Sequence, residues 1–327
     1  MKAYEFGMNN SSAPSSSQVK AARRYFSHGH FRSQLELDLA ELKAELVATK
    51  EAQNFTKKAT EYGLPSYENL LFRDNYILSY DNRLKQPSWS LEYLTNDTVS
   101  DREHSRFRYH CFRPDQSLHE YFRTDNEDYK GYSRGHYSPV CDNKARQKFF
   151  RQCYLLSNMA PQVPTLNHAT YTWSRLERYI YFVSRRSTKT FIITGTLFLP
   201  DNELLFAQHR YMPETTRYRV AGSKRVAVPS HFYKVVLAKS QDKRFTLEAF
   251  LMPNSMAVSR TDGIDRFRID VDKELPQIEM LIGLRFFEIL NRFRVEKPKK
   301  LQYDFAEKVT MRYFGTKPNR RNEYRSQ

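Results

Sequence analysis

A series of short runs rich in β-branched and aromatic residues, which begins after residue 66, is the feature that most constrains the fold. Residues 76–80 (YILSY) and 89–94 (WSLEYL) predict a strand and a returning strand, because the turn-forming residues 81–83 (DNR) lie between them. The apolar run at residues 191–199 (FIITGTLFL) predicts a buried strand and no transmembrane segment, since crossing a bilayer needs about 18 apolar residues. Further strands are predicted at residues 226–228, 233–237 and 247–251.

Apolar residues with helical spacing occur before, within and after this strand-rich region. Leucines recur on helical spacing in residues 34–58, and the Gly-Leu-Pro sequence at residues 63–65 ends the pattern, so residues 34–62 predict an amphipathic helix. This helix could dock on the rest of the protein or pair with another chain, and the sequence leaves both open. Residues 170–183 and 275–290 predict two further helices.

The two ends of the chain differ in composition from its centre. Residues 1–33 are rich in Ser and Asn and carry one acidic residue, Glu5, against several basic ones, which is typical of a mitochondrial transit segment and equally of a disordered tail. A transit segment predicts a mitochondrial location, and a tail leaves a nuclear or cytoplasmic one. Residues 294–327 predict a basic tail, either solvated or folded into a small appendage.

The overall charge indicates a negatively charged partner. Lys and Arg number 53 against 37 Asp and Glu, so the formal net charge is +16, which favours nucleic acid or an anionic membrane surface. Three cysteines without a Cys-x-x-Cys pair argue against a disulfide framework or a thiolate zinc site, and Cys141 and Cys153 are interpreted as small core residues. The ten glycines form no phosphate-cradling loop, which gives no support to nucleotide-dependent enzymes.

Four short motifs, in order along the chain, carry the functional signal. They are residues 132–139 (YSRGHYSP), 154–162 (YLLSNMAPQ), 166–168 (LNH) and 173–177 (WSRLE). This series resembles the DNA/RNA non-specific endonucleases with a ββα-metal active site, the family of endonuclease G and its exonuclease-like relative. The resemblance implies an α+β fold with an antiparallel sheet core and flanking helices, a nuclease domain at residues 63–293, and a homodimer.

The resemblance also implies roles for individual residues. His136 is the general base that activates water, and histidine suits this role because its ordinary pKa lies near neutrality. Asn167 is the one direct protein ligand of a Mg²⁺ or Mn²⁺ ion, and Glu177 acts on the ion through water. Arg134 and Arg108 bind the phosphate with their guanidinium groups. The implied reaction is hydrolysis of phosphodiester bonds in DNA and RNA, with low specificity because phosphate contacts read no bases.

Each assigned residue has a structural alternative in the sequence. His136 could be a hydrogen-bonded core histidine, Asn167 could cap the helix predicted from residue 170, and Glu177 could be an exposed helix carboxylate. Arg106 and Arg113 are alternatives to Arg108 as the phosphate ligand.

The chain departs from the family pattern at two places near the site. Asn167 and Trp173 are six positions apart where the family has four, which indicates a two-residue insertion. Tyr181 stands where the family often has a phosphate-binding arginine, with Arg178 and Arg185 as alternative sources of that charge. These differences leave open a second function, a catalytically weakened or inactive nuclease fold that still binds nucleic acid.

Overall fold

The strands predicted from the sequence join into one large antiparallel sheet. The computed structural model describes residues 28–100, 111–167, 172–199, 216–259, 262–290, 295, 296 and 298. The strands are β1 (Leu70–Phe72), β2 (Tyr76–Asp81), β3 (Gln86–Leu94), β4 (Ser133–His136), β5 (Met159–Gln162), β6 (Lys189–Leu197), β7 (Val220–Ala221), β8 (Val226–Ala227), β9 (His231–Lys239), β10 (Phe245–Pro253) and β11 (Arg268–Ile269). Seven of them form the sheet, in the order β1-β2-β3-β6-β9-β10-β11, and each pairs antiparallel with its neighbours.

Helices flank this sheet and precede it in the chain. They are α1 (His28–Ala59), α2 (Asn96–Ser100), α3 (Gln147–Cys153), α4 (Pro164–Asn167), α5 (Thr172–Arg186) and α6 (Leu275–Ile282). The helix predicted over residues 275–290 was too long, because Gly283 takes a left-handed φ of +67° and its amide bonds back to Glu279, which ends α6 at Ile282. The helix predicted over residues 170–183 continues to Arg186.

The N-terminal helix α1 begins before its predicted start at residue 34. It runs across the boundary between two compact units of the chain, residues 1–53 and 54–327. In the first unit Leu39, Leu46 and Val47 are exposed. Among the described residues, no helix combines the length and apolar character that crossing a membrane requires.

Both faces of the large sheet are buried, and this requires the strands to be apolar on both sides. On β3, Leu91 and Tyr93 belong to the core on one face, while Leu94 belongs to the core on the other. The first core is closed by Leu275 and Ile278 of α6. The second core is closed by α5, whose Trp173, Leu176 and Ile180 pack with Ile192, Phe232, Val236 and Phe250 of the sheet.

The small two-stranded sheet of β4 and β5 lies against the second core. Tyr137, just after β4, and Ala160 of β5 are both buried members of that core. The chain then continues from β5 into α4 and α5, which gives the order strand, strand, helix. Because α5 packs on the large sheet, this arrangement holds the Arg-Gly-His motif above the sheet's second face.

Candidate active site

The two short strands β4 and β5 present the Arg-Gly-His motif. Side chains alternate along a strand, so Arg134 and His136 lie on one face and Gly135 turns to the other. A Cβ atom at Gly135 would lie 2.8 Å from Oε1 of Gln162, whose fully buried side chain occupies that face. Glycine is therefore required between the two candidate functional residues.

The His136 imidazole packs against two aromatic rings at the end of β4. Its centroid is 5.6 Å from that of Phe112 and 5.4 Å from that of Tyr154, which meets it edge-on. The Nε2 atom is shielded from solvent and has no hydrogen-bond partner among the described residues. Burial, together with the positive charges of Lys234 and Arg134, lowers the pKa of His136 from 6.5 to about 3. The imidazole is therefore neutral at pH 7 and keeps a lone pair that can accept a proton.

Arg134 and Asn167 lie beside this histidine. The Arg134 guanidinium carbon lies 4.4 Å from the centroid of the Phe112 ring, a cation–π contact that holds its plane. The Asn167 side chain donates from Nδ2 to the backbone carbonyl of Arg134, at 3.3 Å. Because the amide nitrogen is used in this bond, the amide oxygen is the atom available to a cation. Asn167 is the last described residue of α4, and α5 is described from Thr172 onward.

Glu177 lies on α5 and is half-buried, so it is not the exposed helix carboxylate that the sequence left open. Burial raises the pKa of Glu177 to about 7; the charge of Lys234 opposes this rise and that of Asp142 adds to it. Burial also raises the pKa of Asp142, to about 6. Glu92 of β3 is fully buried, and burial and the nearby Asp142 raise its pKa well above the ordinary value. Two buried carboxyls, of Glu92 and Asp142, and the half-buried carboxyl of Glu177 therefore lie within the electrostatic influence of one buried lysine, Lys234.

These residues suit a hydrated divalent cation better than a tightly enclosed metal. Among the described residues, no group of three or more His, Cys, Asp or Glu side chains could hold an ion. A structural zinc site has no support in that part of the chain, whereas Mg²⁺ binds through few protein oxygens and keeps several waters. The Asn167 amide and the Glu177 carboxyl are oxygen donors of this kind.

Several predicted features of the site lie outside the described residues. Arg108 and its alternative Arg106 fall in residues 101–110, and the insertion falls in residues 168–171. The other alternative, Arg113, is exposed and donates from Nη2 to the carbonyl of Arg151. Tyr181 donates its hydroxyl to the carbonyl of Val99 at 2.9 Å, so it is held against α2.

The sequence analysis assigned no functional role to four residues near the site. Phe112 and Tyr154 contact His136 in the structure. They lie so far from it in the sequence that no helix or strand periodicity predicts the contact. Glu92 and Lys234 lie in strands that were correctly predicted, but no role was assigned to them. A single charged residue in each of the apolar runs WSLEYL and YKVVL was the available signal, since buried charges are rare without a partner or a function.

Comparisons with known proteins identify the family to which the chain belongs. Residues 55–293 match the family model of the DNA/RNA non-specific endonucleases. Human mitochondrial endonuclease G is 34% identical over 229 residues, which cover 69% of this chain and 72% of the relative. Nuclease C1 of Cunninghamella echinulata var. echinulata is 32% identical over 239 residues, 71% of this chain and 88% of the relative. Mitochondrial nuclease EXOG of Xenopus laevis is 32% identical over 231 residues, 68% of this chain and 60% of the relative.

The three-dimensional comparison leads to the same family. A crystal structure of the EndoG/EndoGI complex contains a chain with a TM-score of 0.65 and 31% identity, which covers 74% of this chain and 95% of that one. The predicted α+β, ββα-metal nuclease fold is therefore confirmed. The family match spans well over half of the sequence, and the relatives carry nuclease names. The chain belongs to the DNA/RNA non-specific endonuclease family and is a nuclease.

Proposed function

We propose that the chain is a metal-dependent, sugar-non-specific endonuclease that hydrolyses phosphodiester bonds in DNA and RNA, with His136 as general base and Mg²⁺ or Mn²⁺ held mainly by Asn167. The hydrogen bond from Asn167 to the carbonyl of Arg134 carries this proposal. Arg134 is two positions before His136 on the same strand. The bond therefore joins the proposed metal ligand to the strand that carries the proposed base.

The proposed base is suited to accept a proton from the attacking water. His136 is neutral at pH 7, since burial lowers its pKa to about 3. A bound phosphate brings negative charge to the site, which favours the imidazolium and raises this pKa toward neutrality. The basicity of His136 thus increases when substrate is in place, which suits a general base.

Arg134 and Glu177 have supporting roles in the proposed reaction. The Arg134 guanidinium, stacked on Phe112, donates to phosphate oxygens and stabilises the charge that develops on them. Asn167 would hold the cation through its amide oxygen, and Glu177 would hold it through a water molecule. When bound, the ion supplies positive charge next to the phosphate and the leaving oxygen. Arg108 would add a second phosphate contact.

The location is proposed from the names of the relatives, and the homodimer is proposed from the family resemblance. Endonuclease G and EXOG carry mitochondrial names, and residues 1–33 have the basic, acid-poor composition of a transit segment. We therefore expect a fusion of residues 1–33 to a fluorescent protein to enter mitochondria. We also expect light scattering to give the mass of a homodimer.

Plasmid nicking tests the proposed function directly. Supercoiled DNA should convert to open circles with Mg²⁺ or Mn²⁺ and remain intact with EDTA, and a structured RNA should be cut under the same conditions. His136→Ala should lower the rate by about 10²–10⁴-fold, the usual contribution of a general base. Asn167→Ala should raise the Mg²⁺ concentration needed for half-maximal rate. His119→Ala, at an exposed histidine, is the matched control and should cleave like the wild type.

One result of this assay would support the second function instead. If the wild-type protein binds DNA in a salt-sensitive manner but nicks no plasmid with either cation, the chain is a binding protein with a nuclease fold. The observation that favours this alternative is the inward position of Tyr181, whose hydroxyl bonds to Val99 at the helix position where the family often has an arginine.

A further inference from the structure

Lys234 is a lysine buried beneath the site, and its surroundings are unusual for a structural residue. It lies on the central strand β9 with 1% of its surface exposed. Its ammonium group makes no ion pair within the described residues. It donates to the hydroxyl of Thr194 at 2.7 Å and to the carbonyl of Tyr137 at 3.3 Å, and it lies 5.3 Å from the centroid of the Trp173 ring. Burying such a charge is costly, which favours a specific role for it.

Two of these contacts lead to the two segments that carry the site. Tyr137 directly follows His136, so the bond to its carbonyl fixes the peptide through which the chain leaves the proposed base. Trp173 lies on α5, four positions before Glu177 and therefore on the same helical face. One ammonium group thus contacts both the strand of His136 and the helix of Glu177.

The charge of Lys234 acts on titratable groups of four different elements. Glu92 approaches from β3, Asp142 from the turn after β4, Glu177 from α5 and His136 from β4 itself. The positive charge favours the ionised form of the three carboxyls and the neutral form of the imidazole. The neighbouring Ser138 hydroxyl donates to Glu92 at 2.7 Å, which anchors the same segment a second time.

We infer that Lys234 is a positioning residue for the proposed hydrolysis, which holds the His136 segment and the Glu177 helix in register. This inference rests on the proposed function. A purely structural lysine would affect folding stability, whereas a positioning residue also affects turnover and the titration of His136 in protein that remains folded.

Two substitutions separate the hydrogen bond of Lys234 from its charge. Lys234→Met removes both and keeps a side chain nearly as long as the apolar stem of lysine, and Lys234→Gln keeps a donor without the charge. Lys239→Met, at the far end of the same strand, is the matched control. For Lys234→Met we expect kcat for an oligonucleotide substrate with Mg²⁺ to fall by about 10²-fold, the effect of a small displacement at a reacting group. The KM should stay within about twofold, since Lys234 does not reach the substrate.

The His136 titration reports the loss of the Lys234 charge, which both variants share, and the difference in kcat between the two variants reports the hydrogen bond, which only Lys234→Gln keeps. In both Lys234 variants the imidazole of His136, followed by nitrogen NMR without metal, should titrate at higher pH than in the wild type. Lys234→Gln should keep more of the wild-type kcat than Lys234→Met. Lys239→Met should match the wild type in both measurements.

Each outcome decides the inference. Unchanged kcat and unchanged His136 titration in folded Lys234→Met would overturn it, as would the failure of both Lys234 variants to fold, which would assign the residue to stability alone. The inference would also be overturned if Lys234→Met lost activity only in proportion to the fraction of the protein that is unfolded. If the wild-type protein itself does not cleave, the proposed function fails, and the NMR titration still reports whether the imidazole of His136 changes its environment when Lys234 is replaced.

Discussion

Replacement of His136 by asparagine should make the protein less sensitive to acid. The folded state holds the pKa of His136 at about 3, against an ordinary value of 6.5 in the unfolded chain. Between these values the unfolded chain binds a proton that the folded protein does not, so the free energy of unfolding decreases as pH falls through this window. At pH 5 the unfolded histidine is about 1.5 pH units below its pKa, which corresponds to about 2 kcal/mol. At pH 8 the imidazole is neutral in both states and contributes nothing.

Urea unfolding with EDTA at pH 5 and pH 8 measures this effect as a difference between proteins. The raised pKa values of Glu177 and Asp142 change stability with pH in the opposite direction, but they act in both proteins and cancel in the comparison. We subtract the free energy of unfolding of the wild type from that of His136→Asn at each pH. This difference should be about 2 kcal/mol larger at pH 5 than at pH 8. Ser133→Ala on the same strand should give no such difference. Equal relative stabilities at the two pH values would refute the buried, neutral histidine.

Three further results are expected. Tyr181→Phe should lower the free energy of unfolding by about 1 kcal/mol in urea, through loss of the hydrogen bond to Val99, and leave plasmid cleavage unchanged; a large loss of activity would instead give Tyr181 a role in the reaction. Gly195→Ala should cost about 1–3 kcal/mol in thermal unfolding, since its Cβ would lie 2.1 Å from the buried Tyr233 hydroxyl, and a neutral effect would contradict this packing. Binding of His136→Ala to a DNA duplex should weaken linearly in log–log plots against salt, and a flat response would argue against phosphate contacts.

The sheet could be predicted because its strands are continuous apolar runs bounded by turn residues. Residues 233–237 and 247–251 were recognised in this way, and the structure extends them to His231–Lys239 and Phe245–Pro253. The added residues lie at strand ends, where hydrogen bonding to a neighbouring strand lengthens what side-chain pattern alone predicts. The helix over residues 275–290 failed for a different reason: the apolar spacing continues past Gly283, whose backbone conformation ends the helix.

The neighbourhood of the site could not be predicted in the same way. His136 was recognised from its local motif, but the rings beside it come from Phe112 and Tyr154, and the charge beneath it comes from Lys234. Contacts between segments this far apart depend on the order of strands in the sheet, which local sequence does not specify. Burial, which lowers the pKa of His136 most, and the charge of Lys234 both come from the fold, and only Arg134 is a neighbour in the motif, so the sequence predicts a histidine of ordinary acidity where the fold produces a neutral one.

The strand that carries His136 cannot hold its position by its own hydrogen bonds. A sheet of two four-residue strands is marginal in water, and a general base needs placement to a fraction of an ångström. The large sheet supplies that rigidity from below: the Tyr137 hydroxyl donates to the carbonyl of Pro87 at 2.7 Å, and the Tyr137 carbonyl accepts from Lys234. Strands β3 and β9 thus hold one tyrosine from both ends. Tyr137→Phe, which breaks the bond to β3, and Lys234→Met, which breaks the bond to β9, should therefore reduce kcat more than they reduce substrate binding.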